Sequence, residues 1–223
     1  LDMADIETCA FAHVISPFIE KDACFFYTGS RFSPGGYAWV FPRGSGEANV
    51  GLGISGSSSE PGKAKILLEK FIDKEFPASR VTNLHCGAVP VARWLRPLVN
   101  DNVMIVGDAA RQVNCLSGGG IGYSLYAGKT AGIIAAHAIS GNTINFPALK
   151  KYEKEWKKNF GKQQDRSYSL KKFLLKYGND QFLDRIAHSL SKENPEKMNY
   201  LRVFTRTFAK NPWLLLKTVQ VFK

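Results

Sequence analysis

The segment that most restricts the fold of this chain is a short apolar run followed by a turn and a glycine triplet. Residues 103–106 read Val-Met-Ile-Val, and residues 107–122 read GDAARQVNCLSGGGIG. The apolar run predicts a strand that ends at Asp108, where a carboxylate can accept hydrogen bonds from a polyol. The triplet then opens a long helix whose first N–H groups have no partner within the helix. This order favours the flavin half of a dinucleotide-binding site.

The other half of such a site is missing from the sequence. It would be a glycine-rich loop after the first strand of a βαβ unit, with an acidic residue about 20 positions later. Residues 51–56 spell GLGISG after a strand, but residues 57–61 read SSSEP where that fold must start a helix. We therefore interpret these glycines as a crowded strand end. The chain resembles the back part of a larger enzyme, and its ADP-binding residues are expected upstream of Leu1.

The rest of the pattern predicts an α+β protein in which strands come first and helices later. Strands are predicted at about 8–15, 23–29, 36–42, 47–54 and 81–90, with a helix at about 63–76. We expect the first four of these strands to form one mostly antiparallel sheet. The long helix runs from Gly119 to about Ser140 and carries a small-residue face, made of Ala127, Gly128, Ala131, Gly132 and Ala135.

The final part of the chain is predicted to form four or five short helices. Breaks are expected near Gly161, Gly178, Asn194-Pro195 and Asn211-Pro212. The predicted domains are accordingly a substrate-domain sheet with one helix at 1–97, the C-terminal part of a flavin-binding domain at 98–145, and a basic helical region at 146–223.

Charge separates that last region from the rest. Residues 1–149 contain 12 Lys and Arg against 12 Asp and Glu, whereas residues 150–223 contain 18 against 7, so the last third carries the whole net charge of +11. Its first predicted helix is amphipathic, with an apolar stripe of Leu149, Tyr152, Trp156 and Phe160 among lysines. The closing segment places Trp213, Leu216, Val219 and Phe222 on one face, beside Lys217 and Lys223.

Two interpretations of residues 146–223 stay open. Lysines beside aromatic and aliphatic side chains suit an anionic membrane surface, and the same apolar faces can instead pack onto the protein. No run reaches the ~18 uninterrupted apolar residues of a spanning helix. No recognisable nucleic-acid-binding motif accompanies the lysines, so no nucleic-acid partner is expected.

Several other classes of protein are disfavoured. The N-terminus lacks the basic start and apolar core of a signal peptide, so we expect a cytoplasmic protein, peripheral at the membrane. The cysteines and histidines are scattered without ligand spacing, so no metal site is expected.

Two strings carry a resemblance to a known family, GGYAWVFPRG at 35–44 and GDAARQVNCLSGGGI at 107–121. They occur in this order with EANVGLGI and GAVPV between them, and the chain resembles the geranylgeranyl reductase family over residues 1–148. Archaeal members saturate the isoprenoid chains of ether lipids. Gly107 and Asp108 alone are shared by many flavoproteins of the p-hydroxybenzoate hydroxylase type, so they indicate the fold. The Tyr-x-Trp-x-Phe-Pro string is the more specific motif.

The resemblance implies an FAD enzyme that passes hydride to a carbon–carbon double bond of a prenyl chain. Tyr37, Trp39 and Phe41 would line an apolar tunnel for the isoprenoid lipid, although an ordinary aromatic cluster in the sheet is the alternative. The residues implied in FAD binding are Gly107, Asp108, Gly118, Gly119, Gly120 and Ile121. No residue is predicted as the proton donor, and no electron donor is implied.

Cys115 departs from the family pattern, because relatives commonly carry proline just before the glycine run. This difference leaves the rigidity of the loop open and places a thiol that could lie near the flavin. We expect Cys115 to be a small buried side chain.

Two further functions remain alternatives to the reductase. One is a flavin monooxygenase or halogenase of the same fold, and the other is a noncatalytic lipid-binding or membrane-docking domain. Because the nucleotide loop is missing, we expect the isolated chain to retain FAD weakly or not at all and to be inactive alone.

Overall fold

The structure, a computed structural model, describes residues 1–192. These residues form an α+β fold, as expected, with a five-stranded sheet followed by helices. The predicted interfacial residues from Trp213 to Lys223 lie outside the described range. The expected breaks at Asn194-Pro195 and Asn211-Pro212 also lie outside it.

The main sheet has the strand order β2-β3-β4-β1-β5. The strands are β1 (Ile6–Ile15), β2 (Phe25–Thr28), β3 (Tyr37–Pro42), β4 (Glu47–Ser55) and β5 (Arg80–Pro90). The neighbouring pairs β2–β3, β3–β4 and β4–β1 are antiparallel. Each of these strands lies within about two residues of its predicted position.

Helix α1 (Lys63–Glu75) packs on one face of this sheet. Alternate residues of β1, β3 and β4, such as Ala12, Val40 and Leu52, form that buried face. Leu68 and Phe71 of the helix are fully buried in the same core. Each such side chain contributes about 1.5–3 kcal/mol by leaving water. This packing fixes which residues of the strands point to the opposite face.

The second part of the fold is mainly helical. The short strands β6 (Val99–Asn100) and β7 (Val103–Met104) pair with each other, and the 20-residue helix α2 (Ile121–Ser140) follows. Then come α3 (Phe146–Trp156), α4 (Lys162–Tyr177) and α5 (Asp180–Leu190). Asn145 caps α3, because its side chain accepts a hydrogen bond from the Ala148 N–H at 3.0 Å.

The expected helix break at Gly161 is wrong. Residues Lys157–Gly161 form a π-helical turn that joins α3 to α4 without interruption. Gly161 is buried, and a Cβ there would lie 3.3 Å from Lys157 Cγ and 3.9 Å from the Trp94 ring. The glycine therefore permits close packing within a continuous helical segment. The break at Gly178 is confirmed, since α4 ends at Tyr177 and α5 begins at Asp180.

The chain divides into two compact units. One unit contains Leu1–Ile6 and Val89–Lys171, and the other contains Glu7–Ala88 and, within the described range, residues 172–192. The first unit holds α2, α3 and the Gly107–Asp108 turn, and the second holds most of the main sheet and α1. The predicted separation of a 98–145 domain from a 146–223 region stays a prediction.

Candidate functional site

The Gly-Asp motif forms a tight turn whose backbone is closed internally. Residues Gly107–Ala110 make one turn of 3-10 helix, and both Gly107 (φ +67°) and Arg111 (φ +57°) adopt left-handed conformations. The Arg111 N–H donates to the Asp108 carbonyl at 2.9 Å, and the Gln112 N–H donates to the Gly107 carbonyl at 3.0 Å. A side chain at Gly107 would be strained, because left-handed conformations are unfavourable for residues with a Cβ.

A buried chain of hydrogen bonds supports this turn from below. The Gly107 N–H donates to Gln112 Oε1 at 2.8 Å, and Gln112 Nε2 donates to the Tyr152 hydroxyl at 2.7 Å. The Tyr152 hydroxyl in turn donates to the Ile105 carbonyl at 3.1 Å. Gln112 and Tyr152 are both fully buried. A side chain of α3 is thus linked to the turn that carries Asp108.

The glycine loop that follows is organised by Asn114. Its side-chain oxygen accepts hydrogen bonds from the N–H groups of Leu116 at 2.9 Å and Ser117 at 3.2 Å. Its backbone N–H donates to the Gly119 carbonyl, and its carbonyl accepts from the Gly118 N–H, both at 2.9 Å. These four bonds close the loop, so its shape does not depend on a proline.

Cys115 is fully buried within this loop, as expected for a small core side chain. Its thiol donates a hydrogen bond to the Ala92 carbonyl at 3.2 Å. Burial raises the pKa of the Cys115 thiol, which keeps it protonated and unreactive near neutral pH.

The loop brings Gly120 against Asp108. A Cβ added at Gly120 would lie 3.1 Å from Asp108 Oδ1 and 3.4 Å from a Val113 methyl carbon. Asp108 is exposed, and within residues 1–192 its carboxylate has no hydrogen-bond or ion-pair partner. An unpaired carboxylate therefore lies beside the glycine that caps the N-terminus of α2.

A second cluster lies in the sheet unit, on the face opposite α1. Tyr37, Trp39 and Phe41 alternate with buried residues along β3, so their side chains share one face. Their rings form a continuous ladder, with centroids 5.9 Å apart for Tyr37–Trp39 and 6.0 Å apart for Trp39–Phe41. Phe26 of β2 joins it, 5.6 Å from Tyr37 and 5.4 Å from Phe41.

Two glycines of β4 pair with residues of this aromatic ladder. The register places Trp39 opposite Gly51 and Tyr37 opposite Gly53. A Cβ at Gly51 would lie 2.3 Å from the Trp39 ring and 2.7 Å from Phe11 Cβ, so the indole occupies the space of the missing side chain. Residues 51–56 do not form a nucleotide loop. A short 3-10 turn, Gly56–Ser58, follows them directly, where a nucleotide-binding fold would begin its helix.

Polar groups with raised pKa values lie at one end of the aromatic face. A Cβ at Gly53 would be 3.2 Å from Glu7 Oε2 and 3.4 Å from Cys9 Sγ. Burial, reinforced by the Glu7 charge, raises the pKa of the Cys9 thiol to about 11. Burial, with Glu7 and Cys9 adding to it, also raises the pKa of the Tyr37 phenol. Both groups stay protonated at neutral pH.

The predicted site residues therefore form two groups, each assembled within its own unit. Gly107 and Asp108 form the turn, and Gly118 and Gly119 lie in the loop closed by Asn114. Gly120 lies beside Asp108, and Ile121 is the first residue of α2. The three β3 aromatics form one face. Their functional roles stay predictions.

Sequence reasoning missed the supporting residues Gln112, Asn114 and Tyr152. Gln112 and Asn114 lie inside the motif string, which could have identified them as turn-forming residues. Tyr152 was correctly placed on the packed stripe of α3, but a periodic pattern carries no information about the partner of its hydroxyl group.

The described part of the chain presents neither a metal-binding cluster nor a membrane-spanning helix. Residues 1–192 contain no group of three or more His, Cys, Asp or Glu arranged to hold a metal ion. None of the helices in this range is long and apolar enough to cross a membrane.

Comparison with solved structures identifies the class of fold. The structure of a geranylgeranyl bacteriochlorophyll reductase-like protein from Thermoplasma acidophilum superposes with a TM-score of 0.87 at 28% identity, covering 99% of this chain and 56% of that one. A flavin-dependent brominase has a TM-score of 0.57 at 16% identity, covering 97% of this chain and 50% of that one. The fold is shared with geranylgeranyl reductase-like proteins, flavin-dependent halogenases and a p-nitrophenol monooxygenase.

Sequence comparison narrows the class to a family. Residues 5–89 match the family described as the geranylgeranyl reductase catalytic domain. Digeranylgeranylglycerophospholipid reductase of Methanothrix thermoacetophila is 39% identical over 218 residues, covering 96% of this chain and 56% of that protein. The Methanosphaerula palustris protein of the same name is 40% identical, covering 97% and 55%. The chain belongs to the geranylgeranyl reductase family, and it spans about half the length of these relatives.

Proposed function

We propose that the full-length protein is an FAD-dependent oxidoreductase that saturates carbon–carbon double bonds in the geranylgeranyl chains of membrane lipids. The observation that carries this proposal is the aromatic face of Tyr37, Trp39 and Phe41 in a chain that also presents an unpaired Asp108 at a glycine loop. The relatives named digeranylgeranylglycerophospholipid reductases support the substrate class.

The turn has features that fit a flavin. The Asp108 carboxylate is exposed and unpaired within the described range, so it is available to accept hydrogen bonds from a polyol. Gly120 is the N-cap of α2 and lies beside Asp108, so the free backbone N–H groups and the positive end of the helix dipole lie next to this carboxylate. When bound, the reduced flavin would supply hydride to the alkene. The protein residues hold and orient it.

The sheet face has features that fit a prenyl chain. A geranylgeranyl chain is long, apolar and branched with methyl groups, and it binds well against aromatic surfaces that exclude water. Gly51, opposite Trp39, leaves the space in which the indole ring lies against the sheet. Trp39 is fixed in place, because its indole N–H donates to Asn49 Oδ1 at 2.7 Å.

A product assay with the full-length protein tests this function. We expect the protein, reduced with dithionite under anaerobic conditions, to convert digeranylgeranyl lipid into species that gain two hydrogens per double bond in mass spectra. Asp108→Asn should raise the Kd for FAD about tenfold, since hydrogen bonds to charged groups contribute about 1.5–3 kcal/mol. It should leave thermal stability unchanged. Hydroxylated or halogenated product formed only with oxygen would contradict the reductase.

We further propose that the protein binds an anionic membrane surface through α3 and the turn after it. Lys151, Lys154, Lys157, Lys158 and Lys162 are all exposed, and within residues 1–192 none of them has an ion-pair partner. The apolar stripe of α3 is core, since Leu149, Tyr152 and Trp156 are buried. The contact with lipid would therefore be electrostatic, worth about 1 kcal/mol per lysine near the surface.

Sedimentation with vesicles tests the membrane proposal. We expect binding to vesicles rich in phosphatidylglycerol, weaker binding in high salt, and none to phosphatidylcholine alone. Lys154→Glu with Lys158→Glu should weaken binding at least tenfold. The matched control is Lys70→Glu, an exposed lysine of α1 in the other unit. Equal losses in both variants would contradict a specific surface on α3.

A further inference from the structure

The strongest unexplained feature of the helical unit is the buried chain of hydrogen bonds below the Asp108 turn. It runs from the Gly107 N–H through Gln112 and the Tyr152 hydroxyl to the Ile105 carbonyl, with links of 2.8, 2.7 and 3.1 Å. Each link has a fixed direction. The Gly107 N–H can only donate, so it must meet Oε1 of Gln112, and Nε2 then faces Tyr152.

The chain joins backbone groups on both sides of the turn. Ile105 precedes the turn and Gly107 opens it, so the Gln112 and Tyr152 side chains fix the segment at two points. Backbone bonds from Arg111 and Gln112 also close the turn, and the Leu95 N–H donates to the Ala110 carbonyl at 2.9 Å. Tyr152 is the one member that comes from outside the motif, since it lies on α3, 40 residues after Gln112. Helix α3 therefore contributes directly to the geometry of the turn.

We propose that Tyr152, acting through Gln112, is a positioning residue that sets the orientation of the Asp108 turn for binding of the flavin. This inference rests on the proposed function. Neither side chain needs to touch the cofactor. Their role is to hold Gly107 in its left-handed conformation, with φ at +67°, and so to aim Asp108 at the ligand.

Burial makes each bond of this chain hard to replace. Gln112 and Tyr152 are both 0% exposed, so water does not replace a lost bond. Removing the Tyr152 hydroxyl leaves an unsatisfied N–H on Gln112 and an unsatisfied carbonyl on Ile105, which is unfavourable in a buried environment. The turn is then expected to sample conformations in which the Gly107 N–H is open to solvent.

Tyr152→Phe tests the inference, since it removes one oxygen atom and keeps the ring in the core. Tyr126→Phe is the matched control. It also removes a phenol hydroxyl in the same unit, one that accepts a hydrogen bond from Asn159 at 2.8 Å and is not linked to the turn. Gln112→Met is the second variant, and circular dichroism verifies that each protein is folded.

The first readout is amide hydrogen exchange of Gly107 in the 223-residue chain, which needs no cofactor. We expect Tyr152→Phe and Gln112→Met to speed exchange at Gly107 at least tenfold, and Tyr126→Phe to leave it unchanged. Unchanged exchange in Tyr152→Phe would overturn the inference.

The second readout is FAD affinity of the full-length protein. We expect Tyr152→Phe to raise the Kd for FAD about tenfold. The double variant Tyr152→Phe with Gln112→Met should have a Kd no higher than that of the single variant that binds FAD more weakly, because both substitutions break the same chain of hydrogen bonds. If the wild type binds FAD and Tyr152→Phe binds it equally well, the positioning role is wrong. If the wild type binds no FAD, the proposed function itself fails.

Discussion

Gly51 shows how a single missing side chain shapes the candidate substrate face. The Trp39 ring lies where a Gly51 Cβ would be, at 2.3 Å, and the Phe11 Cβ lies on the other side at 2.7 Å. The glycine and the tryptophan are therefore one packing unit, although 12 positions separate them in the sequence. The string GLGISG at residues 51–56 therefore matches the dinucleotide-binding pattern because of sheet packing, not because of nucleotide binding.

Gly51→Ala should destabilise the protein by about 1–3 kcal/mol, because an added methyl must displace the indole or spread the strands. Denaturant unfolding measures this change. Gly87→Ala is the control, since a Cβ at Gly87 on β5 meets nothing within 4 Å. Equal losses of stability in the two variants would contradict the packing account.

Lys171 shows how one side chain joins several elements of the helical unit. Its ammonium group is buried and donates to the carbonyl of Ala4 at 2.8 Å, to the carbonyl of Val91, and to Asp5 Oδ1 at 3.4 Å. Ala4 and Asp5 precede β1, Val91 follows β5, and Lys171 lies on α4. The ammonium therefore connects three stretches of chain that are distant in sequence.

Lys171→Met should lower the free energy of unfolding by about 3 kcal/mol or more, because it leaves a carboxylate and two carbonyls without their cation. The matched control is Lys162→Met on the same helix, an exposed lysine with no ion-pair partner in residues 1–192. Thermal and denaturant unfolding compare the two variants. A loss below about 1 kcal/mol for Lys171→Met would contradict the connecting role.

Asp5 makes this cluster sensitive to acid. Burial acts to raise the pKa of Asp5, but hydrogen bonds from Tyr168 and the Asp2 backbone, together with the Lys171 charge, outweigh it and hold the pKa below 3.8. A carboxyl group whose pKa is lowered by folding stabilises the protein above its unfolded pKa, about 3.9. That stability is lost as pH falls from about 4 through the folded value.

Unfolding measured between about pH 6 and pH 2 tests this expectation. Asp5→Asn should flatten part of the acid loss, and Lys171→Met should also reduce it, because the folded pKa of Asp5 then moves toward its unfolded value. Asp180 contributes separately, since hydrogen bonds from Ser30 also lower its pKa. An unchanged acid profile in Asp5→Asn would rule out Asp5 as the source.

The elements could be predicted from sequence where local pattern decides them. Strands β1 to β5 and helices α1 and α2 agree with period-two and period-3.6 patterns. The continuous segment through Gly161 could not be predicted, because a glycine reads as a break unless its packing beside Trp94 is known. The predicted strand at 103–106 is also shorter, since regular pairing covers only Val103–Met104, although the Ile105 N–H still donates to Leu98.

The motif residues of the site could be predicted from the sequence, but the residues that hold the motif in place through hydrogen bonds could not. The shared face of Tyr37, Trp39 and Phe41 follows directly from their spacing on a strand. The link from Tyr152 to Gln112 could not be predicted, because it joins residues 40 positions apart through a hydroxyl that sequence periodicity treats as apolar. The closure of the glycine loop by Asn114 is similarly a matter of three-dimensional contact.

The complete protein is expected to unite a flavin turn, an aromatic prenyl-binding face and a basic membrane-binding surface. On the proposed function, the first two would serve reduction of an isoprenoid lipid, and the third would bring the protein to a bilayer. The names of the relatives, of which this chain spans about half, support the lipid-reductase part of this proposal.

The most direct test is anaerobic reoxidation of the flavin in the full-length protein. The enzyme is reduced with one equivalent of dithionite, oxygen is excluded, and digeranylgeranyl lipid is added while the flavin absorbance is recorded. The oxidised spectrum is expected to return in proportion to the lipid added, and a saturated lipid is expected to give no change. A flavin that stays reduced with this lipid and reoxidises only when oxygen enters would contradict the proposed function.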